Sequence, residues 1–316
     1  MKIHELNFSI DTPLRLSRDD PAATTWEADT HAPEVIMQVV GDWCWIEVDG
    51  VASYRFPREA TGLEVRAEAF LLPPASGGPV AIAAAVTDGA VSSDPVTADL
   101  IIDLYYRVVV PLALQVYGLE SMHGTALQYD GGAVLLSAPS RTGKSTLAAA
   151  LADSGATVIA DDGLVWEAPS GVDSAADAGD AYLRPIPFSL MLRKSGARRV
   201  QPTSSEARHL TGTARPVSVE RVAIRLVVLL DRGDATDVTS QRLSRREAFT
   251  RLLGSSYALT ISDKGRKGRM MAAYLRFAAA VPVYSMSYPT GLDRLPEVVA
   301  QVERLLFEVQ SGSSRP

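Results

Sequence analysis

Residues 133–151 read AVLLSAPSRTGKSTLAAAL, and this stretch decides the fold of the second half of the chain. Residues 133–136 are all apolar, which is typical of a strand buried on both faces. A helical pattern follows over residues 145–154, with Gly155 as its end signal. Between the two, residues 138–145 fit the phosphate-loop pattern GxxxxGK[ST], with Ala138 in place of the first glycine. Strand, tight loop and helix in this order predict a nucleotide-binding α/β domain.

The residue types of this loop suit phosphate binding. Backbone N–H groups of such a loop, together with the N-terminus of the next helix, point at the bound anion. We expect Lys144 to contact the β- and γ-phosphates and the Ser145 hydroxyl to bind Mg²⁺. The loop residues expected to contact nucleotide are Ala138, Pro139, Ser140, Arg141, Thr142, Gly143, Lys144 and Ser145. An ordinary glycine–serine turn with an exposed lysine is the alternative, and the flanking strand and helix argue against it.

Arg141 is the one large side chain within the loop. A guanidinium group there can clamp a terminal phosphate with two hydrogen bonds and stabilise charge that moves during phosphate transfer. Exposure to solvent is an equally good interpretation of this residue.

Two adjacent carboxylates, Asp161 and Asp162, follow Lys144 by one helix and one strand, the strand covering residues 156–160. Ligands of open α/β sheets bind at the carboxyl ends of the strands, so both acids are expected close to the phosphate loop. One carboxylate can hold Mg²⁺ and the other can accept a proton from an attacking hydroxyl. Adjacent strand residues point to opposite faces, which predicts that the two acids divide these roles. A pair of turn-forming aspartates is the alternative.

Composition limits the class of protein. The chain has 316 residues, 47% of them apolar and 22% charged, with a net charge of -6, which predicts a folded protein of about two domains. Cys44 is the only cysteine, which excludes a disulfide framework and a thiolate metal cluster. No apolar run approaches the roughly 18 residues of a membrane span, and the first residues do not resemble a signal peptide. We therefore expect a cytoplasmic protein without a membrane partner.

Charge is unevenly distributed along the chain. Residues 184–276 contain 19 Lys and Arg side chains against 7 Asp and Glu. This segment is interpreted either as a solvated arginine-rich surface or as a basic rim around an anionic ligand. Nucleic acid is not an expected partner, because the overall charge is negative and no groove-reading motif is present.

The remaining elements divide the chain into a β-rich N-terminal domain, residues 1–95, and an α/β domain, residues 96–316. In the first, strands are predicted at residues 35–40, 44–48 and 51–56. In the second, residues 96–119 form a connecting helix that Pro111 should bend or end. Further strands are expected at residues 224–230 and 282–287, and helices at residues 245–253, 270–279 and 295–309. The basic stretch KGRKGR, residues 264–269, is expected to be a loop.

The run HGTALQYDGGAVLLSAPSRTGKSTLAAALADSGATVIADD, residues 123–162, resembles the catalytic domain of HPr kinase/phosphorylase and its kinase relatives. In that family a histidine-containing strand precedes a phosphate loop, and a double aspartate follows one helix later. The resemblance implies a P-loop domain like those of HPr kinase and phosphoenolpyruvate carboxykinase, joined to a smaller β-rich domain. It also implies binding of ATP and Mg²⁺ by Lys144, Ser145 and Thr146. By the same resemblance Asp161 is the base, Asp162 holds the metal, and His123 lines the active site.

The chain also departs from the family. The glycine-rich signature of bifunctional HPr enzymes is missing after the aspartates, and YLRPIPFSLMLRKSG stands there instead, over residues 182–196. This segment is similar to that of small HPr kinase-like proteins of peptide biosynthesis, some of which phosphorylate a serine of a lasso-peptide precursor. Arg184 and Arg193 are then candidate substrate contacts, with a surface salt bridge as the alternative. The resemblance leaves a homo-oligomer open.

The leading hypothesis is an ATP- and Mg²⁺-dependent kinase that phosphorylates a serine-type hydroxyl on a peptide or small protein, with a lasso-peptide precursor as a narrower substrate. Catalysis would use Lys144, Asp161, His123 and Arg141. A kinase acting on HPr or on a small metabolite stays open, because substrate choice depends on loops. A nucleotide-responsive binding module without catalysis is the hypothesis from another class.

Overall fold

The computed structural model describes residues 4–9, 25–27, 35–48, 52–59, 64–71, 104–139, 142–169, 180–186, 193–194, 198–200, 221–232, 235–257 and 264–312. In these ranges the chain is a mixture of strands and helices. The strands are β1 (His4–Ser9), β2 (Thr25–Glu27), β3 (Val35–Val40), β4 (Trp43–Val48), β5 (Ala52–Pro57), β6 (Glu64–Leu71), β7 (Glu120–Tyr129), β8 (Gly132–Ser137), β9 (Thr157–Glu167), β10 (Tyr182–Arg184), β11 (Arg193–Lys194), β12 (Arg198–Val200), β13 (Val222–Arg232), β14 (Thr239–Arg242) and β15 (Val283–Tyr288). The helices are α1 (Val110–Val116), α2 (Lys144–Asp153), α3 (Arg245–Leu253), α4 (Lys264–Ala280) and α5 (Leu295–Gln310).

The N-terminal strands form an antiparallel sheet in the order β1-β6-β5-β4-β3. Buried and more exposed residues alternate along β4 and β5, because successive side chains of a strand point to opposite faces and only one face is covered. The three strands predicted here from sequence are confirmed to within one residue at their ends.

The central sheet has the order β10-β9-β7-β8-β13-β15-β14. Strand β13 pairs in parallel with both β8 and β15, whereas β7 runs antiparallel to its neighbours β8 and β9. Strand β8 is buried along its whole length, as its unbroken apolar sequence predicts. A third, small sheet joins β2 to β11 and β12.

Helices cover the central sheet in two separate apolar clusters. One cluster joins α2 and α5 to β8 and β13, and the other joins α3 and α4 to β7, β9 and β13. The predicted helix at residues 295–309 is confirmed as α5, and the helix predicted at residues 245–253 is confirmed as α3. None of the helices in the described ranges is both long and apolar enough to cross a membrane.

Two predictions about helices are wrong. The stretch KGRKGR is not a loop but the beginning of α4, where Arg266 is buried and paired with Glu120 at 2.7 Å. Within residues 96–119, the described part contains a π-helical turn, Tyr105–Val109, that continues directly as α1. Pro111 is the second residue of α1, so the prediction that the helix ends at this proline is wrong, and a bend there stays a prediction.

The segment formed by the π-helical turn and α1 shares its core with the N-terminal sheet. Tyr105 and Val65 are both fully buried in that core, and the Tyr105 hydroxyl donates a hydrogen bond to the Val65 carbonyl at 2.7 Å. The hydroxyl of Tyr117 likewise donates to the Pro57 carbonyl at 2.9 Å. The domain boundary at residue 95 stays a prediction.

Candidate active site

The phosphate-loop motif lies between β8 and α2, so the strand and the helix that it requires are both present. Gly143 precedes the helix with a φ of 95°, a left-handed conformation that a residue without a Cβ adopts freely. The hydroxyl of Tyr288, at the end of β15, donates to the Thr142 carbonyl at 2.6 Å and so holds the loop to the sheet. The predicted nucleotide contacts Ser140 and Arg141 lie outside the described residues.

Where β8 ends at Ser137, another segment takes its place beside β7. Residues 255–257 pair with the start of β7, where the His123 N–H donates to the Ser255 carbonyl at 2.7 Å. The Ser137 hydroxyl donates to the His123 carbonyl at 2.9 Å and lies 2.8 Å from the Ser255 hydroxyl. These contacts occupy hydrogen-bonding groups of β7 directly beyond the end of β8.

Lys144 connects this loop to the first aspartate. Its ammonium Nζ lies 3.3 Å from the Asp161 carboxylate and donates to the Thr125 hydroxyl at 2.9 Å. Thr125 in turn donates a short hydrogen bond to Asp161. The Asp161 side chain is only 5% exposed, so this charge is compensated almost entirely by protein groups. The predicted proximity of the loop lysine and the aspartate pair is therefore found in the structure.

The second aspartate has a different set of partners. The guanidinium of Arg107, in the π-helical turn, binds Asp162 Oδ2 through Nε at 3.1 Å and also through Nη2. The other carboxylate oxygen, Oδ1, lies 4.0 Å from Nδ1 of His123. The ring of His123 stacks on Tyr257 with 4.0 Å between centroids, and the Tyr257 hydroxyl reaches the Asp162 carbonyl at 3.3 Å.

These contacts set the charge of each group. Burial by itself raises the pKa of Asp162, but Arg107, with Lys144 and His123, lowers that pKa to about 2. Burial lowers the pKa of His123, and the cations Lys144 and Arg107 act in the same direction, against the opposing effect of Asp162. Burial raises the pKa of Tyr257. At neutral pH the site therefore holds an ionised Asp162, a neutral His123 and a protonated Tyr257.

The aspartates do not end their strand, contrary to the sequence prediction. Strand β9 continues through both residues to Glu167, and Asp161 pairs with Thr125 of β7. Thr125 pairs on its other side with Leu136, so the acids are level with the carboxyl end of β8 although they lie inside β9. The expected closeness holds for this reason and not because a strand ends there.

The expectation that the two acids point to opposite faces is also wrong in its simple form. Asp162 has a φ of 72°, which breaks the alternation of a regular strand. The two carboxylates consequently approach His123 and Thr125, which are two residues apart on β7 and so share one face. Aspartate is one of the few residue types that adopt this left-handed conformation at modest cost.

The sequence analysis missed Arg107, Thr125 and Tyr257 as site residues. Thr125 stands two residues after His123, so a period of two along β7 could have identified it as a neighbour of the same face. Arg107 and Tyr257 reach the site from distant parts of the chain, and nothing in the residues around them indicates this.

The predicted metal ligands, Ser145 and Asp162, fit Mg²⁺ because this ion needs few protein ligands when it is bound with phosphates and water. Where the structure describes the chain, it contains no group of three or more His, Cys, Asp and Glu side chains that could hold a metal. Mg²⁺ in proteins is usually bound by one or two carboxylates together with phosphates and water. The Ser145 hydroxyl and the Asp162 carboxylate would add two ligands to such a set. Ser145 lies in the first turn of α2, and Arg107 leaves Oδ1 of Asp162 available.

The candidate substrate arginines lie in two different sheets. Arg184, in β10, binds Glu167 at 2.7 Å through Nε, so it forms the surface ion pair that the sequence analysis gave as the alternative. Arg193 lies in the short strand β11. Their role as substrate contacts stays a prediction.

Comparison with solved structures finds chains of similar fold. The structure of the Hpr(Ser) kinase/phosphatase from Coxiella burnetii resembles 60% of this chain and 99% of its own, with 17% sequence identity and a TM-score of 0.32. No protein-family model and no curated protein matches the chain. A likeness this distant carries no argument about function, so the family stays a prediction from the sequence motifs.

Proposed function

We propose that this protein is an ATP- and Mg²⁺-dependent kinase that transfers the γ-phosphate to a serine-type hydroxyl of a peptide or small protein. One observation carries the proposal: the ammonium of the loop lysine, Lys144, lies 3.3 Å from a buried carboxylate, Asp161. Phosphoryl transfer needs a cation on the transferring phosphate and a base for the acceptor hydroxyl, and this contact brings the two together.

Lys144 changes its partner in this mechanism. A nucleotide phosphate at the N-terminus of α2 attracts the lysine, because the loop N–H groups and the ammonium converge on the same anion. Asp161 then loses its cation and becomes able to accept a proton. The acceptor oxygen bonds to the γ-phosphorus, the bond from phosphorus to the β,γ-bridging oxygen breaks, and the acceptor proton passes to Asp161.

Ser145 and Asp162 are the residues that would hold Mg²⁺, which neutralises phosphate charge when bound. His123 is more exposed than Asp162, with 53% of its side chain accessible, and would line the acceptor side. Arg141 would stabilise the transferring phosphate, and Ala138, Pro139, Ser140, Thr142, Gly143 and Thr146 would supply contacts to the nucleotide.

The acceptor is proposed to be a peptide, with a lasso-peptide precursor as the narrowest candidate. Support comes from the departure of residues 182–196 from the bifunctional HPr enzymes and from the basic segment 184–276. Arg184 and Arg193 lie in that segment and are the proposed contacts to a peptide carboxylate.

The test is incubation with labelled ATP, Mg²⁺ and serine-containing peptides, followed by mass spectrometry. The peptides include some whose C-terminal residues are acidic. We expect a peptide heavier by one phosphate group. Asp161→Asn should bind ATP as the wild type does, by calorimetry, and give no product. Wild-type turnover by this variant would overturn the base assignment, and nucleotide binding without any product would favour the nucleotide-responsive module.

A further inference from the structure

We infer that Arg107 is a positioning residue of this site, which fixes Asp162 so that the two adjacent carboxylates have different roles. This role in the reaction depends on the proposed kinase function, whereas the Arg107–Asp162 pairing is a feature of the fold.

The contact between Arg107 and Asp162 is specific in its geometry. Two guanidinium nitrogens, Nε and Nη2, address the same carboxylate oxygen, and the arginine side chain is only 13% exposed. A planar guanidinium with two contacts holds that oxygen in place more firmly than the single contact of an ammonium would. The contact spans 55 residues of sequence, so it is a tertiary feature and not part of a local turn.

The surroundings of Arg107 anchor it firmly. Its neighbours Tyr105 and Val109 are fully buried in the core shared with the N-terminal sheet. The approach to β9 is close, because a Cβ added at Gly163 would lie 3.1 Å from the Pro111 ring and 3.5 Å from the Arg107 carbonyl. Glycine at this position is what lets the helical segment come so near to the aspartates. π-Helical turns are rare and frequently occur at functional sites.

The two cations of the site are therefore not equivalent. Lys144 begins α2 at the phosphate loop, and a nucleotide competes with Asp161 for it. Arg107 belongs to the π-helical turn, on a segment held by core packing. Phosphate binding thus releases Asp161 alone, while Asp162 keeps its cation and its orientation. Arg107 also offsets the repulsion between two carboxylates on adjacent residues.

The experiment compares Arg107→Gln and Arg107→Lys with a control, Arg225→Gln, in the full-length protein. Arg225 also pairs with an aspartate, Asp180, at 3.1 Å, but on β13 away from the site. For Arg107→Gln we expect kcat of peptide phosphorylation to fall about 100-fold, the loss typical of a misplaced catalytic group, with little change in the KM for ATP. Arg107→Lys should recover part of the loss, and Arg225→Gln should behave as the wild type.

Mn²⁺ binding, followed by the electron paramagnetic resonance signal of the free ion, separates positioning from damage to the fold. Arg107→Gln leaves Asp162 without its guanidinium, so Mn²⁺ should bind at least as tightly as to the wild type. An unchanged kcat in Arg107→Gln would overturn the inference.

A double-mutant cycle with Asp162→Asn tests whether Arg107 acts through that aspartate. If it does, Arg107→Gln changes neither the melting temperature nor the transfer rate once Asp162 is already Asn. Additive effects would overturn the inference.

If the wild type transfers no phosphate, the kinase proposal fails, and the inference is then judged on the melting-temperature cycle alone. Non-additive melting temperatures would sustain the positioning of Asp162, and additive ones would refute it.

Discussion

At the scale of single residues, the two adjacent aspartates of the site differ in burial, backbone conformation and partners. Asp161 is almost fully buried and held by Lys144 and Thr125. Asp162 is 40% exposed, has a left-handed backbone and pairs with Arg107. Side chains of identical chemistry therefore have different partners. We expect a bound nucleotide to draw Lys144 away from Asp161, while Asp162 keeps Arg107.

Removing Lys144 should expose the cost of burying Asp161. Lys144→Ala leaves a buried carboxylate without its cation, so we expect the free energy of unfolding to fall by about 1–3 kcal/mol. Adding Asp161→Asn should recover part of that loss, because a neutral amide needs no cation. Urea denaturation measures both effects, with Lys267→Ala, an exposed lysine of α4, as the control. A double variant no more stable than Lys144→Ala would contradict this account.

Asp162 should make stability depend on pH in the acid range. Its pKa is lowered from 3.8 to about 2 in the folded protein. The ionised form is therefore favoured by folding, and this contribution is complete above about pH 4 and lost as the pH falls through 2. Solvent screening at a side chain 40% exposed limits it to about 1 kcal/mol.

The measurement compares the wild type with Asp162→Asn by denaturation between pH 7 and pH 2. Asparagine tolerates the same left-handed backbone, so the difference reports mainly the charge. The wild type should be the more stable near neutrality, and the two curves should converge at low pH. Curves that stay parallel throughout would show that the Asp162 charge does not stabilise the fold.

At the scale of elements, contacts between segments place the groups of the site. Residues 255–257 occupy the edge of β7 directly beyond the end of β8. The π-helical turn brings Arg107 to β9, and α4 is tied to β7 by the buried pair of Arg266 and Glu120. Each contact joins elements that are far apart in sequence.

The Arg266–Glu120 pair should be important for stability. The guanidinium donates to both Glu120 oxygens at 2.7 and 2.8 Å, and both side chains are less than 10% exposed. Arg266→Gln leaves Glu120 buried without a cation and should cost about 3–5 kcal/mol of unfolding free energy. Arg269→Gln, an exposed arginine of the same helix, should change it by less than about 0.5 kcal/mol. Equal effects in the two variants, measured in guanidinium chloride, would contradict the importance of the pair.

At the scale of the whole molecule, the N-terminal sheet and the central sheet are linked through one helical segment. The π-helical turn and α1 contribute buried residues to the core of the N-terminal sheet, and the same turn supplies Arg107 to the site. This segment therefore connects the smaller sheet to the candidate site.

A chain shortened to residues 96–316 should therefore be less stable than the full chain. Its helical segment would expose apolar residues, among them Tyr105 and Val109, that the N-terminal sheet normally covers. We expect a lower melting temperature and increased binding of a hydrophobic dye, with a chain ending at residue 312 as the control. An unchanged melting temperature would show that residues 96–316 fold independently, as the domain boundary drawn from sequence implies.

The sequence by itself determined the parts of this protein that local patterns control. An unbroken apolar run specifies the buried strand β8, Gly143 and the following helical pattern specify the turn into α2, and the apolar stripe of residues 295–309 specifies α5. The short interval between Lys144 and Asp161 also sufficed to predict their closeness, because one helix and one strand must return the chain to the same sheet edge.

Only the tertiary structure decided which other groups complete the site. Arg107 and Tyr257 reach Asp162 from 55 residues before it and 95 residues after it, through packing and through pairing along β7. The left-handed backbone of Asp162 and the continuation of β9 past both aspartates likewise depend on neighbouring segments. Local patterns report hydrogen bonds and burial within one element, whereas contacts between distant segments arise only when the whole chain packs around its cores.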